Sequence, residues 1–153
     1  MAPLRHATAI TALLLLLPIP AMSGLLTTIR CKEPTGTRIL AGPAGSFTSA
    51  PDGFTGVKPT FILNEKTPQS LMVSFGASKI IGDLIPEAAT SASIVEISRD
   101  RIVAIEKAGD PIWTYTLYPS KGVGFFTKTS LGPLDLPYIA TYHSECAFTT
   151  VPE

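Results

Sequence analysis

ASIVEISRDRIVAIEKAGDPIWTYTLYPSKGVGFFTKTSL, residues Ala92 to Leu131, is the stretch on which the fold turns. Short apolar and β-branched runs alternate in it with compact polar breaks. ASIVEI and RIVAIEK are separated by Ser98, Arg99 and Asp100, and AGDP and SKG supply the next two turns. In a strand, successive side chains point to opposite faces. Trp113, Tyr115 and Leu117 therefore share one face, and Ile112, Thr114, Thr116 and Tyr118 share the other. Both faces of IVEI and RIVAI are largely apolar, which predicts that these two strands are central or covered on both sides. Strands of about 5–8 residues with turns at short spacing predict an antiparallel meander.

Working outward, a loop rich in Pro and Leu leads to YIATYHSECAF, Tyr138 to Phe148, which reads as one more strand. On the other side, Thr60 to Asn64 and Ser70 to Phe75 read as a hairpin. Residues 32–60 are punctuated by Gly and Pro and read as ordered loop with one edge strand around Arg38 to Ala41. Residues 76–92 hold Ile80, Ile81, Leu84, Ile85 and Ala88 near helical spacing, but Gly82 and Pro86 oppose a long helix. At most one short helical segment is expected there, near 79–90. The fold class is therefore mainly β: one domain whose meander closes into a small barrel or two packed sheets.

The chain opens with MAPLRHATAITALLLLLPIPAMSG. Arg5 gives a positive start, Ala7 to Leu17 an apolar core, and Ala21 and Ser23 a small-residue cleavage pattern. This is the signature of a secretory signal peptide over residues 1–23, cut between Ser23 and Gly24, with a single domain over 24–153. The apolar run is short for a bilayer of about 30 Å and is ended by Pro18 and Pro20, so no transmembrane segment is expected in the mature protein. The only asparagine, Asn64, lacks a glycosylation pattern. The reading is of a bacterial chain that is secreted or periplasmic.

The whole chain has 153 residues, 12 basic and 12 acidic, with 16% charged. There is no basic stripe, so nucleic acid is not an expected partner. Cys31 and Cys146 are the only cysteines. In an oxidising compartment they are expected to pair, tying the two ends of the domain together.

Sites are harder to read. His143 and Cys146 are an odd number apart on one strand, so they face opposite ways and cannot share a metal or act as base and nucleophile. His143 and Glu145 share a face. They form the one acid–base pairing the sequence offers for a hydrolase, and the plainer reading is two polar residues on a solvated face. No GxSxG, P-loop or GxGxxG pattern occurs, and two paired cysteines leave no zinc set. No catalytic residue, metal or cofactor is assigned. Trp113, Tyr115 and Phe125 are the candidates for lining an apolar pocket, against the plainer reading that such residues form the core. The functional expectation is an exported, non-enzymatic binding or structural module whose ligand and partner the sequence leaves unknown. A carrier of a small apolar ligand in a barrel interior is the alternative.

FILNEKTPQSLMV at Phe61 to Val73, IWTYTLYPSKGVGFFTK at Ile112 to Lys128, and the closing Tyr142 and Cys146 resemble small exported proteins of proteobacteria. In those proteins an Asn-Glu-Lys turn is followed by a Tyr-Thr-Leu hairpin ending in Gly and by a closing Tyr and Cys. Tyr115, Thr116, Leu117 and Gly122 match the hairpin. The chain departs from that pattern at Pro119 and Ser120, where the others carry a basic residue. The resemblance implies a β-rich exported domain with no assigned activity.

Overall fold

The computed structural model describes residues 25–76, 80–81, 85–86, 89–132 and 135–152. The expected signal peptide at 1–23 lies outside the described residues. Among the described residues there are twelve strands: β1 (Leu25–Cys31), β2 (Thr35–Ala41), β3 (Phe47–Gly53), β4 (Thr60–Asn64), β5 (Ser70–Ser74), β6 (Ile80–Ile81), β7 (Ile85–Pro86), β8 (Thr90–Ile97), β9 (Ile102–Lys107), β10 (Ile112–Tyr118), β11 (Val123–Leu131) and β12 (Pro137–Pro152). All pairings are antiparallel. Eight strands run in the order β1-β4-β5-β8-β9-β10-β11-β12, and β12 pairs back to β1. The result is a closed eight-stranded barrel, a size whose interior side chains just fill.

The filling is aromatic. Phe61, Tyr115 and Phe126 are fully buried, with ring centroids 5.4 Å and 5.5 Å from Phe61 to the other two. Ile29, Leu71, Val73 and Leu117 belong to the same core. Alternation along β12 is strict: Ala140, Tyr142, Ser144 and Cys146 are buried, and Thr141, His143, Glu145 and Ala147 are exposed. The pattern read from the meander holds for Tyr115 and Leu117, which are buried.

β8 and β9 meet the first of the two expected outcomes, a central place in the sheet. Val95 and Ile105 are 60% and 40% exposed. IVEI fails to alternate because of a bulge: Ile94 pairs with Ala104 and Glu96 with Val103, leaving Val95 as the extra residue. The run of apolar residues spans this bulge and leaves Val95 and Ile97 exposed, so it does not mark a second cover.

Residues 32–60 are also more ordered than their composition suggests. They form a full hairpin, β2–β3, in which β2 pairs with the first half of β12. The second half of β12 pairs with β1. One 16-residue strand thus carries two partners in succession along the same edge. The hairpin continues the barrel sheet as a flap, with β3 at its edge. Pro51 is tolerated there because an edge strand has one side free of ladder bonds. Gly36 is required in β2: a Cβ at that position would stand 2.0 Å from the Thr141 carbonyl oxygen. After β3 the chain turns back, and Phe54 packs on Tyr142, Phe75 and Trp113 at the barrel mouth, with ring centroids 4.7, 5.6 and 6.0 Å away.

Of the segment near 79–90, residues 79, 82–84 and 87–88 lie outside the described residues, and the remainder form no helical turn. Ile80–Ile81 and Ile85–Pro86 pair as a two-residue antiparallel ladder. Isoleucine is β-branched and favours extended backbone, and Pro86 cannot donate within a helix. Among the described residues no helix is long and apolar enough to cross a membrane.

Candidate functional site

Cys31 and Cys146 sit opposite each other across β1 and β12, their sulfurs 1.96 Å apart and their Cα atoms 4.0 Å apart. Neither uses its N–H on the other. Cys31 N–H donates to Pro59 O at 2.9 Å and Cys146 N–H donates to Gly122 O at 2.8 Å. Directly opposed residues without mutual hydrogen bonds are the closer of the two kinds of antiparallel pair. Gly122 presents its carbonyl from a left-handed turn, φ +64°, after the Pro119–Lys121 helical turn.

His143 and Glu145 lie outward on β12, as neighbours on one face. Glu145 is engaged elsewhere: Lys32 Nζ donates to it at 2.6 Å, and this bond holds the carboxyl below its ordinary pKa. His143 stands between Phe125 on β11 and Thr35 on β2. His143→Ala should change stability by less than about 0.5 kcal/mol, as for an ordinary surface substitution. A loss of several kcal/mol in a urea melt would contradict this placement.

Trp113 and Tyr115 are brought together, their rings stacked with centroids 6.1 Å apart, but Phe125 does not join them. Tyr115 is in the core, Trp113 is half-buried at the barrel mouth, and Phe125 points outward, 45% exposed. Phe125 neighbours Tyr118 on the outer surface, ring centroids 6.0 Å apart. The parity of the strands separates it: Phe125 pairs with Thr116 of β10, an outward position, and Phe126 with Tyr115.

The register assembles a different group. Two inward rows cross the sheet where the barrel meets the β2–β3 flap. One runs Glu106, Trp113, Lys128, Ala140 and Arg38. The other runs Ala104, Tyr115, Phe126, Tyr142, Gly36 and Asp52. Arg38, Leu40, Asp52, Lys128, Tyr138 and Tyr142 line a concavity of about 280 Å³ at this mouth. Lys128 Nζ lies 5.4 Å from the ring centroids of both Trp113 and Tyr138, a cation–π arrangement that fixes the ammonium. Tyr142 Oη donates to Asp52 Oδ2 at 2.8 Å, and Gly53 N–H donates to Asp52 Oδ1 at 2.9 Å.

Burial, followed by the bond to Asp52, raises the Tyr142 hydroxyl far above its ordinary pKa. Burial and the bond to Glu106, 2.5 Å long, do the same for Tyr115. Both phenols stay protonated donors. Asp52 is satisfied by its own chain, whereas Arg38 and Lys128 have no ion-pair partner among the described residues. The concavity therefore offers two cationic heads beside tyrosine rings.

Sequence reasoning placed Tyr138 and Tyr142 on the last strand and missed Arg38, Asp52 and Lys128 as site residues. Asp52 falls in the segment that reads as loop, and Arg38 in the edge strand expected within it. Only the long-range pairing of β2 with β12 brings them to Lys128. Among the described residues, no three His, Cys, Asp or Glu side chains group to hold a metal ion. A scan against protein-family models and searches of curated proteins and of solved structures return no significant match to this chain.

Proposed function

We propose that this chain is an exported, non-catalytic binding module whose ligand docks at the barrel mouth. The observation that carries the reading is the pair of cations without an ion-pair partner among the described residues, Arg38 and Lys128, which line one concavity with Tyr138 and Tyr142. A ligand with a negatively charged end and a flat body fits that arrangement: the charge meets the cations and the body meets the rings. Carriage inside the barrel would require displacing Phe61, Tyr115 and Phe126, so the mouth is the better site.

Export is supported by the signal-like first segment and by the cysteine pair at disulfide distance. The mature chain is then bacterial, secreted or periplasmic, and starts at Gly24. N-terminal sequencing of exported material checks this, and an uncleaved chain would remove export from the reading.

Binding is tested by titrating the protein with benzoate and with galacturonate while following backbone amide signals. Saturable shifts are expected at Arg38, Asp52, Lys128 and Tyr138. Lys128→Gln should weaken binding about tenfold, corresponding to about 1.4 kcal/mol. Shifts confined to other faces, or none from either probe, would count against the mouth as the site.

A further inference from the structure

We infer that a second concavity, beside the Cys31–Cys146 pair, binds a multiply charged oxyanion of the phosphate or sulfate class. The cleft is about 470 Å³ and is lined by Arg30, Lys32, Lys58, Lys121 and Glu145 around the two cysteines and Gly122. Three separate pieces of chain deliver the cations. Arg30 is the outward residue near the end of β1, and Lys32 follows that strand. Lys58 lies in the loop before β4, and Lys121 closes the helical turn before β11.

The chain as a whole is electrically balanced, 12 basic against 12 acidic residues. This cleft is not: four cations face one carboxylate. Lys32 and Glu145 neutralise each other at 2.6 Å. Arg30, Lys58 and Lys121 have no hydrogen-bond or ion-pair partner among the described residues. All three are exposed, so they contribute no packing that would explain the grouping. Convergent like charges repel, and a concave wall with low-dielectric sides focuses their field on whatever enters. A single carboxylate would satisfy one of the three. A phosphate- or sulfate-class group presents several oxygens and more than one charge, which matches the set.

The cysteine pair gives the cleft a fixed frame, because β1 and β12 each carry part of the wall. The inference does not rest on the mouth site. Arg38 and Lys128 belong to the other end of the β12 pairing and serve as an internal control.

The experiment titrates purified, oxidised protein with tripolyphosphate, and separately with inositol hexasulfate, at low salt. Saturable amide shifts are expected at Arg30, Lys58, Lys121 and Gly122. The double variant Lys58→Gln with Lys121→Gln should bind at least about tenfold more weakly, and its melting midpoint should stay put. Binding should also weaken steeply as salt is raised. A control double variant, Lys66→Gln with Lys107→Gln, should bind as the parent does. Equal loss in that control would show diffuse charge attraction and overturn the site. So would the absence of saturable shifts from both anions up to about 10 mM. Arg38→Gln should leave this binding unchanged, so failure here and failure at the mouth are read separately.

Discussion

Phe61→Ala should lower the unfolding free energy by about 3–5 kcal/mol, the range for deleting a buried aromatic ring. Phe61 is fully buried, with Tyr115 and Phe126 packed against it. The loss has two parts, apolar surface no longer removed from water and the cavity left at the barrel centre. Eight paired strands keep the walls from closing over that cavity, so the upper half of the range is expected. Against a total stability of about 5–15 kcal/mol, the variant should be mostly folded but sharply weakened in a urea melt. A loss under about 1 kcal/mol would show that the barrel collapses around the gap, contrary to a core held by its own ladder.

Cys31→Ser should cost about 2–5 kcal/mol. The cysteines are 115 residues apart in sequence. In the chain-entropy account, closing a loop of about 100 residues restricts the unfolded chain by up to about 4.7 kcal/mol. The folded state should change little, because β1 is paired with β12 along its whole length by backbone bonds and with β4 on its other side. Far-ultraviolet circular dichroism should therefore keep its β signal while the urea midpoint falls. Reduction of the parent should reproduce the variant. Equal stability of oxidised and reduced protein would remove the cross-link from the account of how the ends are held.

The meander from Ala92 to Leu131 was legible because its information is local. Trp113, Tyr115 and Leu117 alternate, turns punctuate them, and nothing distant is needed to place each face. Cys146 and His143 separate by parity for the same reason. The β2–β3 hairpin was not legible. Thr35, Thr37 and Arg38 are exposed, Ile39 and Leu40 are adjacent, and Pro51 sits within a strand. Its order comes from pairing with β12, about a hundred positions away, which composition cannot display. Val95 was ambiguous for a subtler reason, since a bulge and a doubly covered strand both write consecutive apolar residues. The candidate site failed to show because Arg38, Asp52 and Lys128 become neighbours only through that same distant register.

The seam of the barrel has a consequence for how the chain reaches its fold. The first and last strands close it, so no fragment lacking residues 146–152 can complete the cylinder. Until they dock, β1 keeps an unpaired edge, and open edges recruit other chains. Closure depends on contacts between residues far apart in sequence, which slows folding. A nascent or truncated chain therefore spends its vulnerable period as an open sheet. Trimming the C-terminal half of β12 should shift material from monomer to aggregate out of proportion to the few side chains removed.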